Sequence, residues 1–249
     1  GIYGYALQIY CDFSGYSDLA LGIGLLLGYN LGVNFNSPYL ATNIRAFWHR
    51  WHISLSTWLR DYLYIPLGGN RRGSKSVNLF LTQLLGGLWH GAHLRYVIWG
   101  AAHGLALVIS HFLNDRRRAG ERTQDETSKP GHRPEKIYVL RKLLGFFLTF
   151  NFVSLCWILF RAEDTGRAWE IVRAAFHFGR GGEDAPLMVW LIIGLTLLMQ
   201  LGGAEVRDIF MRIHNRLSGP VLAFWCALWV VVILKLGPEG VLPFIYFQY

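Results

Sequence analysis

The sequence predicts an all-α membrane protein that crosses the bilayer several times. Three observations carry that expectation. Only 16% of the 249 residues are charged and 53% are hydrophobic, whereas an ordinary soluble domain carries about 25% charged residues. Apolar runs of membrane-crossing length recur from residue 96 onward. Lys and Arg collect in the stretches between those runs, as they do in loops held in the cytoplasm.

A membrane helix needs roughly 17–25 mostly apolar residues to cross a hydrocarbon core about 30 Å thick. Residues 96–113 (YVIWGAAHGLALVISHFL), 143–160, 187–203 and 217–234 all qualify, and the last three hold no charged side chain. Residues 2–33 are apolar and Gly-rich but carry Asp12 and Asp18. They fit one long helix or two short ones broken near 22–28. Residues 77–89 (VNLFLTQLLGGLW) are too few for a crossing and suit a re-entrant or buried helix. Such an element survives at membrane depth only where protein covers it or it lines a wet cavity.

The polar stretches set the expected orientation. Residues 114–136 hold seven Lys/Arg and are expected to form a solvated cytoplasmic loop. Residues 161–186 and 204–216 form further Arg-bearing connections. Alternation puts 114–136 and 204–216 in the cytoplasm, with 161–186 and the C-terminus outside. The net charge of +8 is thereby placed in loops, and no nucleic-acid partner is expected. Cys11, Cys156 and Cys226 lie far apart in apolar sequence without CxxC spacing, so they read as small hydrophobes. The first residue is Gly1, with no initiator Met or leader. The chain is therefore expected to be the C-terminal portion of a longer one, residues 1–249 forming part of a single transmembrane domain.

The densest polar-aromatic stretch is 47–70, FWHRWHISLSTWLRDYLYIPLGGN. Helical spacing over 48–64 predicts one face bearing Trp48, Trp51, Leu55, Trp58 and Leu59. A second stripe carries His49, His52, Ser56 and Arg60, as suits an interface or a polar cavity wall. Pro66 and Gly68-Gly69 end it, and Asn70 opens a basic turn. A second cluster is GGLWHGAH over 86–93, with WGAAHG over 99–104. It sets Trp89, His90 and His103 among small residues that permit close helix approach. Intramembrane ionisable groups usually face a cavity or a partner, and histidine is suited to proton transfer near neutral pH. A core histidine bonded to a neighbouring helix is the plainer alternative. His49 with His52, and His90 with His93, have spacings that permit zinc, but neither HExxH nor a Cys ligand accompanies them, and no metal is expected. Asp12, Ser14 and Asp18 suit substrate binding or polar helix packing, and no GxSxG elbow is present.

At these residues the chain resembles the membrane-bound O-acyltransferase family, in its alginate O-acetyltransferase-like branch. The resemblance rests on QIYCDFSGYSDLA, NFNSPYLATNIRAFWHRWHISLSTWLRDYLYIPLGGNRRG, NLFLTQLLGGLWHGA, WGAAHG, WILFRAEDTGRAWEIV and the terminal PFIYFQY. Two histidine motifs 38 residues apart joined by RDYLYIPLGGN make it specific. The resemblance implies a helical funnel open to both membrane faces, in a bacterial inner membrane, within a chain roughly twice this length. It implies acetyl transfer from a cytoplasmic thioester, acetyl-CoA, with no bound cofactor. The acceptor is a polysaccharide hydroxyl outside, reached directly or through a periplasmic acetyltransferase partner. The family's WHG histidine falls on His90 and its RWH histidine on His52. The pattern usually has Arg where this chain has His49 and Trp where it has Leu94, which leaves the acceptor open.

In the expected mechanism neutral His90 takes the acceptor proton, while His52 orients it, holds the acceptor or stabilises the oxyanion. Arg60 and Asp61 pair with each other or contact the donor. Trp89, Asn70, Asp12, Asp18 and His103 complete the supporting set. Two rivals explain part of the pattern: a proton or solute pathway through Asp12, Asp18, His52, His90 and His103, and a non-catalytic scaffold for polysaccharide secretion.

Overall fold

The computed structural model describes residues 1–125, 135–176 and 186–236. Ten α-helices and no strand occur among them: α1 (Ile2–Leu26), α2 (Ile44–Trp48), α3 (Ile53–Leu59), α4 (Lys75–Trp89), α5 (Leu94–Asp125), α6 (Glu135–Arg161), α7 (Thr165–Phe176), α8 (Leu187–Leu201), α9 (Gly203–His214) and α10 (Gly219–Leu236). Within α5 and α6, Leu94–Arg116 and Ile137–Arg161 are long and apolar enough to cross a membrane.

Residues 2–33 resolve into one helix followed by extended chain, because Gly28 at φ +84° and Gly32 at φ +72° leave the helical region after Leu26. The run 187–203 stops short of a crossing. Gly202 ends α8 after 15 residues, about 22 Å at 1.5 Å per residue. The buried Gln200 side chain accepts a hydrogen bond from the Tyr39 backbone N–H at 3.1 Å, and the chain turns into α9. The 18 residues of α10 reach about 27 Å. The polar stretch 114–136 begins as a continuation of α5 to Asp125, and α7 and α9 occupy much of the other two connections. Residues 126–134 and the terminal PFIYFQY lie outside the described residues.

The core is aromatic. Phe13 of α1, Tyr39, Phe47, Trp48, Trp51, Tyr96 and Trp99 of α5, and Trp157 and Phe160 of α6 are buried in one cluster. Trp51 packs at 4.9 Å on Trp157 and at 5.0 Å on Phe35.

Helices α4 and α5 form a tight antiparallel pair through glycines. A Cβ on Gly100 would lie 2.6 Å from the Gln83 carbonyl oxygen and 3.1 Å from Leu84 Cα, and one on Gly104 would meet Phe80 at 3.0 Å. A Cβ on Gly87 would run into the Tyr96 carbonyl oxygen, with Gly100 Cα at 3.0 Å. Small residues let the backbones touch, and this contact fixes where the α4 C-terminus delivers its side chains.

Candidate active site

The segment carrying His52 is not one amphipathic helix. It breaks at 49–52: α2 ends with His49 as its C-cap, and α3 starts with His52 as its N-cap. Arg60–Tyr64 then continues as a π-helical turn. His52 stands at φ +44°, ψ +57°, a left-handed conformation that L residues adopt at a cost of order 1–3 kcal/mol. The neighbouring backbone enforces it. The Asn36 N–H donates to the Arg50 carbonyl at 2.9 Å and the Ile53 N–H to the Asn34 carbonyl at 3.0 Å, clamping both sides of Trp51-His52. Asn34 is held in turn by Ser54, whose N–H and hydroxyl both donate to Asn34 Oδ1. The two expected stripes therefore do not form. Trp48 and Trp51 are buried while Trp58 is 51% exposed, and His49 and His52 diverge.

His90 is the C-cap of α4. Its ring is enclosed by Trp89 at 4.9 Å, Phe160 at 5.0 Å, Trp99 at 5.2 Å and Tyr96 at 6.2 Å. Gly91 at φ +146° makes the turn into α5, and a Cβ there would press on the Tyr96 ring at 3.0 Å. His52 meets Phe13 at 4.7 Å and Trp89 at 6.3 Å. Trp89 thus contacts both histidines, itself 57% exposed. Both imidazoles sit outside the two membrane-length helices. Burial pushes His52 down to about 4. Burial, and secondarily the neighbouring His52, push His90 down to about 3. Both are neutral at physiological pH, as a base must be before it takes a proton.

A cavity of about 300 Å³ opens between α2–α3, α4 and α5; Trp48 and Gln83 are among its lining residues, while His52 and His90 are not. Its wall carries Arg45, His49, Arg60, Lys75 and His111, with Ser56, Thr82, Gln83 and Ser110 between them. Arg45 and Lys75 form no ion pair among the described residues. Arg60 pairs with Asp61 at 2.7 Å, the first of the two roles expected for them. Asn70 lines the cavity and accepts from the Tyr64 hydroxyl at 2.7 Å. Asn78 donates to the Gly69 and Arg72 carbonyls and so ties the basic turn to α4.

The structure brings Trp89, His52 and His90 together, with His103 one indole away, but not the aspartates. Asp12 and Asp18 are exposed on α1, and that helix reaches the histidines through Phe13. No three His, Cys, Asp or Glu side chains gather as metal ligands among the described residues.

Sequence reasoning missed Arg45, Lys75, Gln83 and His111, which come from three separate helices and share no spacing. It also missed Arg95, buried in the α5 N-terminus. Arg95 donates to the carbonyl of Ala162 and, at 3.1 Å, to the Tyr96 hydroxyl, fixing a wall of the His90 enclosure.

Residues 2–130 match the membrane-bound O-acyltransferase family. The chain belongs to that family. It is 38% identical to the probable alginate O-acetylase AlgI of Pseudomonas putida, over all of this chain and 53% of that protein. It is 46% identical to the protein of the same name in Pseudomonas fluorescens, over all of this chain and 57% of the relative. It is 44% identical to the peptidoglycan O-acetyltransferase of Helicobacter pylori, over 68% of this chain and 29% of that one. The chain spans little more than half the length of the two alginate relatives. All of the expected histidine motifs fall within the family match.

Proposed function

We propose that this chain carries the acyl-transfer site of a multi-pass O-acetyltransferase of a bacterial inner membrane. It moves acetyl from acetyl-CoA on the cytoplasmic side to a hydroxyl of an alginate-like polysaccharide outside, directly or through a periplasmic partner protein. The observation that carries the reading is His90: a neutral imidazole in an aromatic enclosure at the end of a short helix, sharing Trp89 with His52.

The chemistry follows from that environment. His90 accepts the proton of the acceptor hydroxyl as its oxygen attacks the thioester carbonyl carbon. The tetrahedral intermediate collapses, the C–S bond breaks, and the thiolate recovers the proton from the imidazolium. His52, which shares Trp89 with His90, holds the acceptor or donates to the oxyanion. A general base supplies about 10²–10⁴ in rate and one oxyanion donor about 10²–10³. Holding both reactants in the enclosure supplies most of the remainder. Arg45 and Lys75, which form no ion pair among the described residues, support a phosphate-bearing donor, since ammonium and guanidinium groups bind phosphate with charge-assisted hydrogen bonds. The names of the alginate relatives support a polysaccharide acceptor, and that of the Helicobacter relative extends the choice to a peptidoglycan sugar.

The test is transfer of labelled acetyl from acetyl-CoA in membranes carrying the full-length protein, wild type beside His90→Ala and His52→Ala. Label should reach polysaccharide or a partner protein with wild type alone. Equal transfer by all three, at equal insertion, would refute the site.

A further inference from the structure

His103 sits on α5 with no exposed surface, yet neither ring nitrogen has a hydrogen-bond partner among the described residues. Trp99 lies 4.6 Å away, Trp48 5.2 Å, Phe152 5.3 Å and Phe47 6.3 Å. A phenylalanine would fill such a box without burying unmatched polar atoms, so packing alone does not account for an imidazole there.

The same region holds three more buried atoms in that condition: the indole N–H groups of Trp48 and Trp99 and the side-chain oxygen of Gln83. Together with a neutral imidazole they offer three donors and two acceptors. Buried polar groups that lack a protein partner characteristically share an ordered water with two to four neighbours. The cluster also has a defined place in the site. Trp48 and Gln83 line the basic cavity, while Trp99 packs against both His103, at 4.6 Å, and His90, at 5.2 Å.

We propose that His103 is a positioning residue for the transfer step, one that binds a buried water shared with the Trp99 indole N–H and so fixes the indole wall against which His90 is aimed. The inference rests on the acyltransfer reading above. The nitrogens of His103 matter to it, and the ring shape does not.

The experiment compares His103→Phe, His103→Gln and Trp99→Phe in the full-length protein in membranes. His103→Phe keeps the packing and should lower kcat by about 10²-fold, the effect of a small misplacement of a reacting group, with KM for acetyl-CoA unchanged. His103→Gln restores a donor and an acceptor and should recover part of that loss. Trp99→Phe keeps a ring against both histidines, and its kcat should fall similarly; it serves if His103→Phe does not accumulate. Wild-type kcat in His103→Phe, or in Trp99→Phe when only that variant accumulates, overturns the proposal. So does a change confined to KM, which would assign the cluster to donor binding. A donor-independent readout is the ¹⁵N spectrum of histidine-labelled protein, in which the His90 signals should move in His103→Phe. If wild type transfers no acetyl from acetyl-CoA, the proposed function fails, and this spectrum alone decides the positioning: an unmoved His90 signal overturns it.

Discussion

His90 meets Trp99 edge to face, with ring centroids 5.2 Å apart and planes at 84°. An imidazole seated among aromatic edges loses the hydration that its protonated form needs, so the neutral base is favoured.

The pH dependence of transfer should show this. A base is competent above its own folded-state pKa, which for His90 is about 3 against an ordinary 6.5. Log kcat/KM should therefore stay flat as pH falls through 6.5 and decline only well below it. Stability runs with the same sign. Below 6.5 the unfolded chain takes up protons that the folded site refuses, so this group's contribution is lost as pH falls from 6.5 toward 3. An acid limb centred near 6.5 would mean that His90 is solvated, or is not the base.

Removing the imidazole should cost more than removing its neighbours. His90→Ala should lose about 10²–10⁴ in kcat with insertion intact. Asp12→Asn and Asp18→Asn should stay within about twofold of wild type, because exposed side chains away from the site rarely matter. Single-turnover transfer in membranes, normalised to inserted protein, separates the two outcomes.

Arg45→Gln and Lys75→Gln should each raise KM for acetyl-CoA by about tenfold, the equivalent of 1.4 kcal/mol of lost phosphate contact. The same substitutions should barely affect acetyl-pantetheine, which has no phosphate. Equal losses with both donors would show that the cavity residues act on folding or on the thioester end.

The left-handed backbone at His52 separates shape from chemistry. Asn tolerates that conformation and Val does not. His52→Asn should thus accumulate and melt like wild type while losing transfer, whereas His52→Val should lose thermal stability in detergent as well. If Val and Asn melted alike, the strained turn would have relaxed.

Gly100→Leu should be the most damaging change at the α4–α5 contact. Its first added carbon lies 2.6 Å from the Gln83 carbonyl oxygen, and overpacking of this kind costs about 1–3 kcal/mol. A lowered melting temperature with faster proteolysis of the α4–α5 pair is expected. Gly194→Leu, where an added Cβ meets nothing within 4 Å, is the matched control.

Much was legible in the sequence because membrane solvent constrains composition strongly. Low charge, apolar runs and Arg-rich connections pointed to an all-helical membrane chain, and 96–113 and 143–160 fall within α5 and α6. The motifs around His52 and His90 pointed to the family that residues 2–130 match. Tertiary structure alone decided the remainder. A 3.6-residue period cannot reveal that the chain breaks at 49–52, because clamps from Asn34 and Asn36 impose that turn. Nor can a hydropathy run show that α8 ends at Gly202 to dock Gln200 on Tyr39. The cavity of Arg45, Lys75 and His111 and the enclosure of His90 by Trp99 and Phe160 depend on how α2, α4, α5 and α6 pack. Those contacts join residues distant in sequence, and no local pattern encodes them.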